Sequence, residues 1–204
     1  MMKGGISGTM RTRDLKVDVT DLVTRLQKGE TSAVRDMVRL YGARIHGFLR
    51  CLVRSDETAE ELTQEVLIRI YRKCGHVNSP ARFESWLFTL ARNIAIKEMS
   101  RSRYRKESSK ELSWFDTWIG SENEHPLEKI SAEQSALLLR EALATLDGKR
   151  REIMALRYFS DLSLKEISHV MNIPIGSIGT TITRSLESLK QYFDSRGIKV
   201  EDLL

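Results

Sequence analysis

Apolar residues recur at steps of three and four along most of the 204-residue chain. Leu62, Val66 and Ile70 form one such stripe, and a second stripe of large apolar residues runs from Phe83 to Ile94. This spacing is the period of a helix that buries one face. No stretch shows the sustained alternation of apolar and polar residues that is typical of a half-buried strand. The pattern therefore predicts an all-α fold.

Capping residues indicate where several of these helices begin and end. Ser55 precedes a segment with an acidic first turn, as an N-cap does. Ser163 and Glu166 have the spacing of a capping box. The helix that follows them is expected to end near Asn172 and Pro174, and the next one to begin near Gly176. A short helix, a tight turn and a longer helix predict a helix-turn-helix motif.

Helical periodicity fails between residues 106 and 130, where Ser, Gly, Asn and acidic residues surround Trp114, Phe115 and Trp118. We interpret this segment as a linker whose aromatic residues either dock on a partner or fold back on a domain. The prediction is two small helical domains joined by a flexible linker. Its parts are a flexible leader (1–17), a first domain (18–105), the linker (106–130), a second domain (131–195) and a C-terminal tail (196–204).

Charge is unevenly distributed along this chain of net charge +5. Residues 92–105 carry five basic side chains and one acidic one, whereas residues 106–130 carry six acidic and three basic ones. A concentrated basic segment favours a polyanionic partner such as nucleic acid.

The sequence gives little indication of disulfide bonds, metal binding, catalysis or membrane insertion. The two cysteines form no CxxC motif, so neither a disulfide framework nor a zinc site is expected. No nucleophile elbow, glycine-rich phosphate loop or pair of catalytic carboxylates is evident. No apolar run is long enough to span a membrane. We expect a cytoplasmic, non-enzymatic protein without cofactors.

Three segments resemble the extracytoplasmic-function sigma factors of bacterial RNA polymerase. The text SLKEISHVMNIPIGSIGTTITRSLESL (residues 163–189) resembles their region-four helix-turn-helix. The text DETAEELTQEVLIRIYRK (residues 56–73) resembles region two-point-two, and FESWLFTLARNIAIKEMSRSRYR (residues 83–105) resembles regions two-point-three and two-point-four. The resemblance spans residues 21–193 and implies a promoter-recognition subunit, with core RNA polymerase, promoter DNA and an anti-sigma factor as partners.

In this family region two-point-two binds the polymerase clamp, which implies a core-binding role for the polar face of residues 56–73. Carboxylates on a rigid helix also suit a basic partner. The candidate core-binding residues are Asp56, Glu60, Glu61, Gln64 and Glu65.

The family melts and reads the minus-ten promoter element with regions two-point-three and two-point-four. Trp86, Asn93 and Lys97 lie within about 40° of one another on a helical wheel, a combination that suits an unstacking strand. Trp86 could equally be a core residue, and the arginines could be a solvated helix end. The candidate minus-ten residues are Asn78, Trp86, Arg92, Asn93, Lys97, Arg101, Arg103 and Arg105.

The resemblance implies that the longer helix after the tight turn is a recognition helix, which reads the minus-thirty-five element. Its candidate residues are Ser177, Thr180, Thr181, Thr183 and Arg184. Gly179 and Thr181 occupy positions where the family usually carries Lys and Arg. This contact is therefore expected to be weak, unusual in sequence, or supported by the hydroxyls of Thr180, Thr181 and Thr183.

Two other classes of protein would account for part of these sequence features. A regulator of the LuxR type would bind an operator without polymerase and would not need the acidic helix of residues 56–73. An all-helical adaptor or anti-sigma-type protein would make no DNA contact of its own.

Overall fold

The computed structural model describes residues 18–53, 55–77, 79–109 and 132–198 of the chain. In these ranges the regular elements are all helical, and no strand is present. Two short 3₁₀ turns, Cys74–His76 and Pro80–Arg82, connect the third and fourth helices. The helices are α1 (Val19–Gln27), α2 (Thr31–Leu52), α3 (Asp56–Lys73), α4 (Phe83–Ser109), α5 (Ala132–Ala144), α6 (Gly148–Tyr158), α7 (Leu164–Met171) and α8 (Ile175–Asp194).

The first domain packs α1, α3 and α4 around the long helix α2. Tyr41 meets Phe83 edge-on with ring centroids 5.6 Å apart, and Phe48 meets Phe88 in the same way at 5.9 Å. The stripe predicted on α3 is buried at Leu62, Val66 and Ile70. These contacts hold α3 and α4 in fixed positions, so each presents its remaining face outward.

The second domain is formed by α5 to α8. Ser163 caps α7 in a complete capping box with Glu166, and Asn172 ends the helix in the left-handed conformation at φ +53°. Ile167 and Ile178 are completely buried between α7 and its neighbours. The short helix, tight turn and longer helix expected from the sequence are therefore present.

Helix boundaries agree closely with the capping signals. Ser55 accepts a hydrogen bond from the Thr58 backbone N–H, as expected for an N-cap. The structure and the boundaries predicted from the sequence differ mainly at the end of α4. This helix continues to Ser109, whereas the linker was predicted to begin at residue 106. Residues 106–109 include neither Gly nor Pro, so nothing local stops the helix.

The two domains pack directly against one another. Helix α2 lies against α6, and α4 lies against α7. Buried residues of both domains belong to one continuous apolar cluster, which joins Phe48 and Ala95 to Leu156 and Val170. Leu143, Met154, Leu189 and Phe193 belong to a second cluster within the C-terminal domain.

Candidate nucleic-acid and protein interfaces

The outer face of α4 presents an exposed polar and cationic strip. Asn93, Lys97, Arg101 and Arg103 are all exposed on this helix. Its opposite face is anchored in the core through Leu87, Phe88, Ala91 and Ala95, which are completely buried. Because the helix is held by that core, its backbone under Asn93 and Lys97 has a fixed position in the protein, and the cations of the strip are of the kind that can neutralise phosphates.

Two predicted members of this strip have partners within the protein. Arg92 donates from Nε to Glu152 Oε1 at 2.5 Å, which ties α4 to α6 of the second domain. Trp86 is half-buried and stacks at a tilt on Phe83, with ring centroids 5.9 Å apart. Trp86 therefore contributes to packing and still has part of its surface accessible. Asn78 and the Arg105 side chain lie outside the described residues.

Helix α3 presents the second candidate surface. Glu60, Glu61 and Gln64 are exposed, and Glu65 forms an ion pair with Arg69 one turn later. The predicted residue at the start of the helix, Asp56, pairs with Arg50. In a Glu65–Arg69 pair at i and i+4 each charge remains near water, so the attraction is small and a stronger partner can displace it.

Apolar side chains accompany these carboxylates on α3. An open depression of about 450 Å³ is lined by Glu61, Gln64, Glu65, Ile68, Arg69 and Arg72. Ile68 is 51% exposed, and Tyr71 is exposed nearby. Large apolar residues among charges are typical of protein interfaces. The sequence reasoning omitted Ile68 and Tyr71, although both lie off the Leu62-Val66-Ile70 stripe and could have been found from that position.

The helix-turn-helix presents the N-terminal part of α8 outward. Ser177, Thr180, Thr183 and Arg184 are exposed, and Thr181 is half-buried. Three threonine hydroxyls donate to carbonyl oxygens of their own helix: Thr180 to Gly176, Thr181 to Ser177 and Thr183 to Gly179. Each hydroxyl must leave its carbonyl before it can donate to a phosphate, which weakens the net gain from such contacts.

Cys74 is buried and Cys51 is partly buried, which disfavours the charged thiolate form of both. Burial raises the pKa of the Cys51 thiol to about 12, and burial also raises the pKa of the Cys74 thiol. A protonated thiol is a poor nucleophile and a poor metal ligand. Among the described residues, no group of three or more His, Cys, Asp or Glu side chains could hold a metal ion. None of the described helices is both long enough and apolar enough to span a membrane.

The described residues thus combine an exposed cationic helix, an outward helix-turn-helix and an acidic, partly apolar helix face. These are the features expected of a helical nucleic-acid-binding protein that also binds another protein. Two family profiles match the chain. Sigma-70 region 2 matches residues 37–109, and Sigma-70 region 4 matches residues 136–189. These ranges contain both candidate DNA-binding surfaces and the acidic face of α3.

Whole-chain relatives agree with these two matches. The RNA polymerase sigma-H factor of Pseudomonas aeruginosa is 30% identical over 175 residues, which cover 82% of this chain and 90% of that protein. The ECF RNA polymerase sigma factor SigW of Bacillus subtilis is 24% identical over 174 residues, covering 83% of this chain and 93% of the relative. The chain belongs to the extracytoplasmic-function sigma factors and is an RNA polymerase sigma factor, whose partners are core polymerase and promoter DNA.

Solved structures share the fold. CnrH in complex with the cytosolic domain of CnrY is 18% identical, with a TM-score of 0.63 over 87% of this chain and 99% of that one. The sigma factor RpoE of Bartonella quintana, solved with the anti-sigma factor NepR, is 23% identical, with a TM-score of 0.62 over 78% of this chain and 96% of that one. Both likenesses extend over most of the described helices.

Proposed function

We propose that this sigma factor divides promoter initiation among three surfaces. In this proposal α3 binds core polymerase, α4 binds and opens the minus-ten element, and α8 contacts the minus-thirty-five element. The observation that supports the division most strongly is the exposed strip of Asn93, Lys97, Arg101 and Arg103 on a helix anchored in the core. It joins an amide, which can hydrogen-bond bases, to cations, which neutralise phosphates.

The minus-ten surface is proposed to combine Trp86 with the exposed residues of α4. An aromatic ring that is anchored on Phe83 and still half-exposed is suited to stack on a base that leaves the duplex. Asn78 and Arg105 are assigned to the same surface on the family resemblance alone.

The core-binding surface is proposed to be the α3 face that contains Glu60, Glu61, Gln64 and Glu65, with Asp56 at its start. The depression beside Ile68 supplies apolar area at the centre of these charges. This arrangement supports docking of a basic helix that has apolar residues of its own, because charge steers the encounter and apolar burial then stabilises it.

The minus-thirty-five surface is proposed to contribute less than the minus-ten surface. Arg184 is the one basic residue among its five candidates, and the threonines donate to their own helix. Ser177 is exposed near the start of α8, where helix N–H groups favour a phosphate. Specificity is therefore assigned mainly to α4.

We also propose an anti-sigma factor as a partner, with the cytoplasm as the site of action and binding rather than catalysis as the mode of action. The support for the partner is that RpoE of Bartonella quintana, which shares the fold, was solved with the anti-sigma factor NepR.

A run-off transcription assay with core polymerase tests the function. We expect promoter-specific transcripts that require both this protein and core polymerase, and co-purification of the two. Operator binding without core binding would instead support a LuxR-type regulator. Binding to neither DNA nor core would support an adaptor or anti-sigma-type protein.

A further inference from the structure

A glutamine at the end of α1 is hydrogen-bonded to the connection between α3 and α4. The amide Nε2 of Gln27 donates to the backbone carbonyl oxygen of Cys74 at 3.2 Å and to that of Val77 at 3.3 Å. A primary amide has two N–H groups, so one side chain can supply both carbonyls. These partners lie 47 and 50 positions further along the chain, so the two hydrogen bonds join elements that are distant in sequence.

The two carbonyls belong to one tight turn, the first of the two 3₁₀ turns. The Val77 N–H donates to the Cys74 carbonyl oxygen at 3.0 Å, which closes the turn, and Gln27 bridges the carbonyls at its two ends. Cys74 and Val77 are also buried, in the apolar cluster that contains Leu22 and Leu26 of α1. The turn is therefore held on α1 both by its side chains and by its backbone.

Helix α1 is in turn fixed on the start of α2 by a shared arginine. The Arg25 Nη2 donates to Ser32 Oγ and to Asp36 Oδ2, both at 3.0 Å, and its Nε donates to Glu30 Oε2 at 3.3 Å. A guanidinium shared among several partners forms a network, which constrains geometry more than an isolated surface pair does. The Gln27 side chain consequently starts from a backbone with a fixed position.

The chain beyond this turn leads to the proposed minus-ten surface. The Ser79 carbonyl oxygen accepts a hydrogen bond from the Arg82 N–H at 2.9 Å, and α4 begins directly afterwards at Phe83, which is completely buried. The backbone is thus hydrogen-bonded on both sides of position 78. Asn78 is the residue of this loop that the proposed function assigns to the minus-ten element.

A side chain that reads a base by hydrogen bonds discriminates well only when its backbone is already in place. A loosely held group can adapt to more than one pattern of donors and acceptors, and it must also be ordered when the DNA binds. A bond that fixes the loop should therefore sharpen base preference, even if the residue that donates it never contacts DNA.

We propose that Gln27 is a positioning residue for promoter recognition, which fixes the loop beside Asn78 through the carbonyls of Cys74 and Val77 and thereby sharpens its base preference. The role of the loop rests on the proposed function, whereas the Gln27 bridge does not. The match to Sigma-70 region 2 begins at residue 37, so α1 lies outside it. A helix beyond the matched region thus takes part in reading the minus-ten element.

Four variants of the full-length protein separate this role from a general effect on folding. Gln27→Met keeps the length of the side chain and removes the amide, and Gln27→Glu keeps the shape but has no N–H to donate. Gln27→Lys retains a donor. Thr24→Val is the matched control, because the exposed Thr24 hydroxyl donates to the Thr20 carbonyl of its own helix at 2.8 Å. Gln27 is itself exposed, so its replacement should leave the core intact.

The first measurement is amide hydrogen exchange of the free protein, followed by mass spectrometry. Peptides covering residues 74–79 should exchange at least about fivefold faster in Gln27→Met and Gln27→Glu, while peptides from α2 and α3 keep the wild-type rate. Thr24→Val and Gln27→Lys should resemble the wild type. If Gln27→Met accelerates exchange throughout the first domain, Gln27→Glu is read by the same criteria. Unchanged exchange of residues 74–79 in the folded variants would overturn the bridge.

The second measurement is run-off transcription with core polymerase on a promoter selected for the wild type and on each single-base variant of its minus-ten element. At one or more positions a wild-type preference of about tenfold should fall below about threefold in Gln27→Met and Gln27→Glu, with core affinity unchanged. Thr24→Val should keep the preference, and Gln27→Lys should recover it. A merely structural role would lower all yields alike and leave the ratios unchanged.

Unchanged ratios in Gln27→Met and Gln27→Glu, despite faster exchange of the loop, would overturn the positioning role. Loss of preference without faster exchange would also overturn it, because the effect would not pass through the loop. Absence of transcripts even from the wild type, with the exchange pattern as expected, would count against the proposed function and leave the Gln27 bridge standing.

Discussion

The clearest quantitative expectation concerns the arginines at the exposed end of α4. Arg101→Ala combined with Arg103→Ala should damage open-complex formation more than Arg184→Ala does, because promoter binding is proposed to depend mainly on α4. Both arginines are exposed, and neither belongs to the buried core, so the double variant should fold normally. The loss should therefore appear in DNA binding and not in stability.

The magnitude follows from counterion release. Each lost phosphate contact on duplex DNA reduces the salt slope of binding by about 0.9, so two contacts reduce it by about 1.8. At about 0.1 M salt this corresponds to a loss of about 60-fold in affinity, or about 2.4 kcal/mol. Arg184→Ala removes one contact at most, which is worth about eightfold or about 1.2 kcal/mol.

The assay counts heparin-resistant complexes with core polymerase on a promoter selected for this protein, at two salt concentrations. Arg35→Ala with Arg39→Ala is the matched control, because it removes the same charge from exposed positions of α2 that are not among the proposed DNA contacts. The control should keep most of the wild-type complexes. If Arg184→Ala abolishes the complex while the α4 double variant keeps it, the recognition helix dominates and the proposed division is wrong.

Three further variants test the remaining assignments. Glu61→Lys with Glu65→Lys should lower core-polymerase affinity at least tenfold with unchanged helicity by circular dichroism, and normal affinity of the folded variant would remove the core-binding role of this face. Deletion of residues 114–118 should change the ratio of abortive to full-length transcripts more than promoter binding, because the family resemblance implies that this acidic, aromatic linker follows the path through which nascent RNA later leaves; unchanged ratios would make the segment a simple tether. Gly179→Ala should raise the free energy of unfolding by up to about 1 kcal/mol, since a Cβ there meets nothing within 4 Å, and a lower melting temperature would contradict this.

The threonines of α8 bear on the prediction that contact with the minus-thirty-five element is weak. The sequence suggested that hydroxyls on α8 could compensate for the cations missing at Gly179 and Thr181. In the structure those hydroxyls donate within their own helix, so they compensate only after rotation about χ1. The deficit in basic residues is therefore only partly offset.

Local signals determined most of the helical layout. Ser55 begins α3, Ser163 and Glu166 begin α7, and Asn172 ends it, all as the sequence indicated. Caps and apolar stripes depend on residues three or four positions apart. The start, the end and the buried face of a helix can therefore be predicted from nearby residues of the sequence. The exposed face of α4 was predictable for the same reason, because a buried stripe on a helix defines its opposite side.

The partnerships between distant residues were decided only by the tertiary structure. Nothing in the sequence pairs Arg92 with Glu152, sixty positions later, or directs Arg44 to the carbonyl of Ser160. Such contacts depend on how whole helices pack, and packing depends on shape at every buried position rather than on any local pattern. The sequence thus determined the helices and the exposed faces that are proposed to meet DNA, whereas the packing of the two domains decided that Arg92 is engaged within the protein.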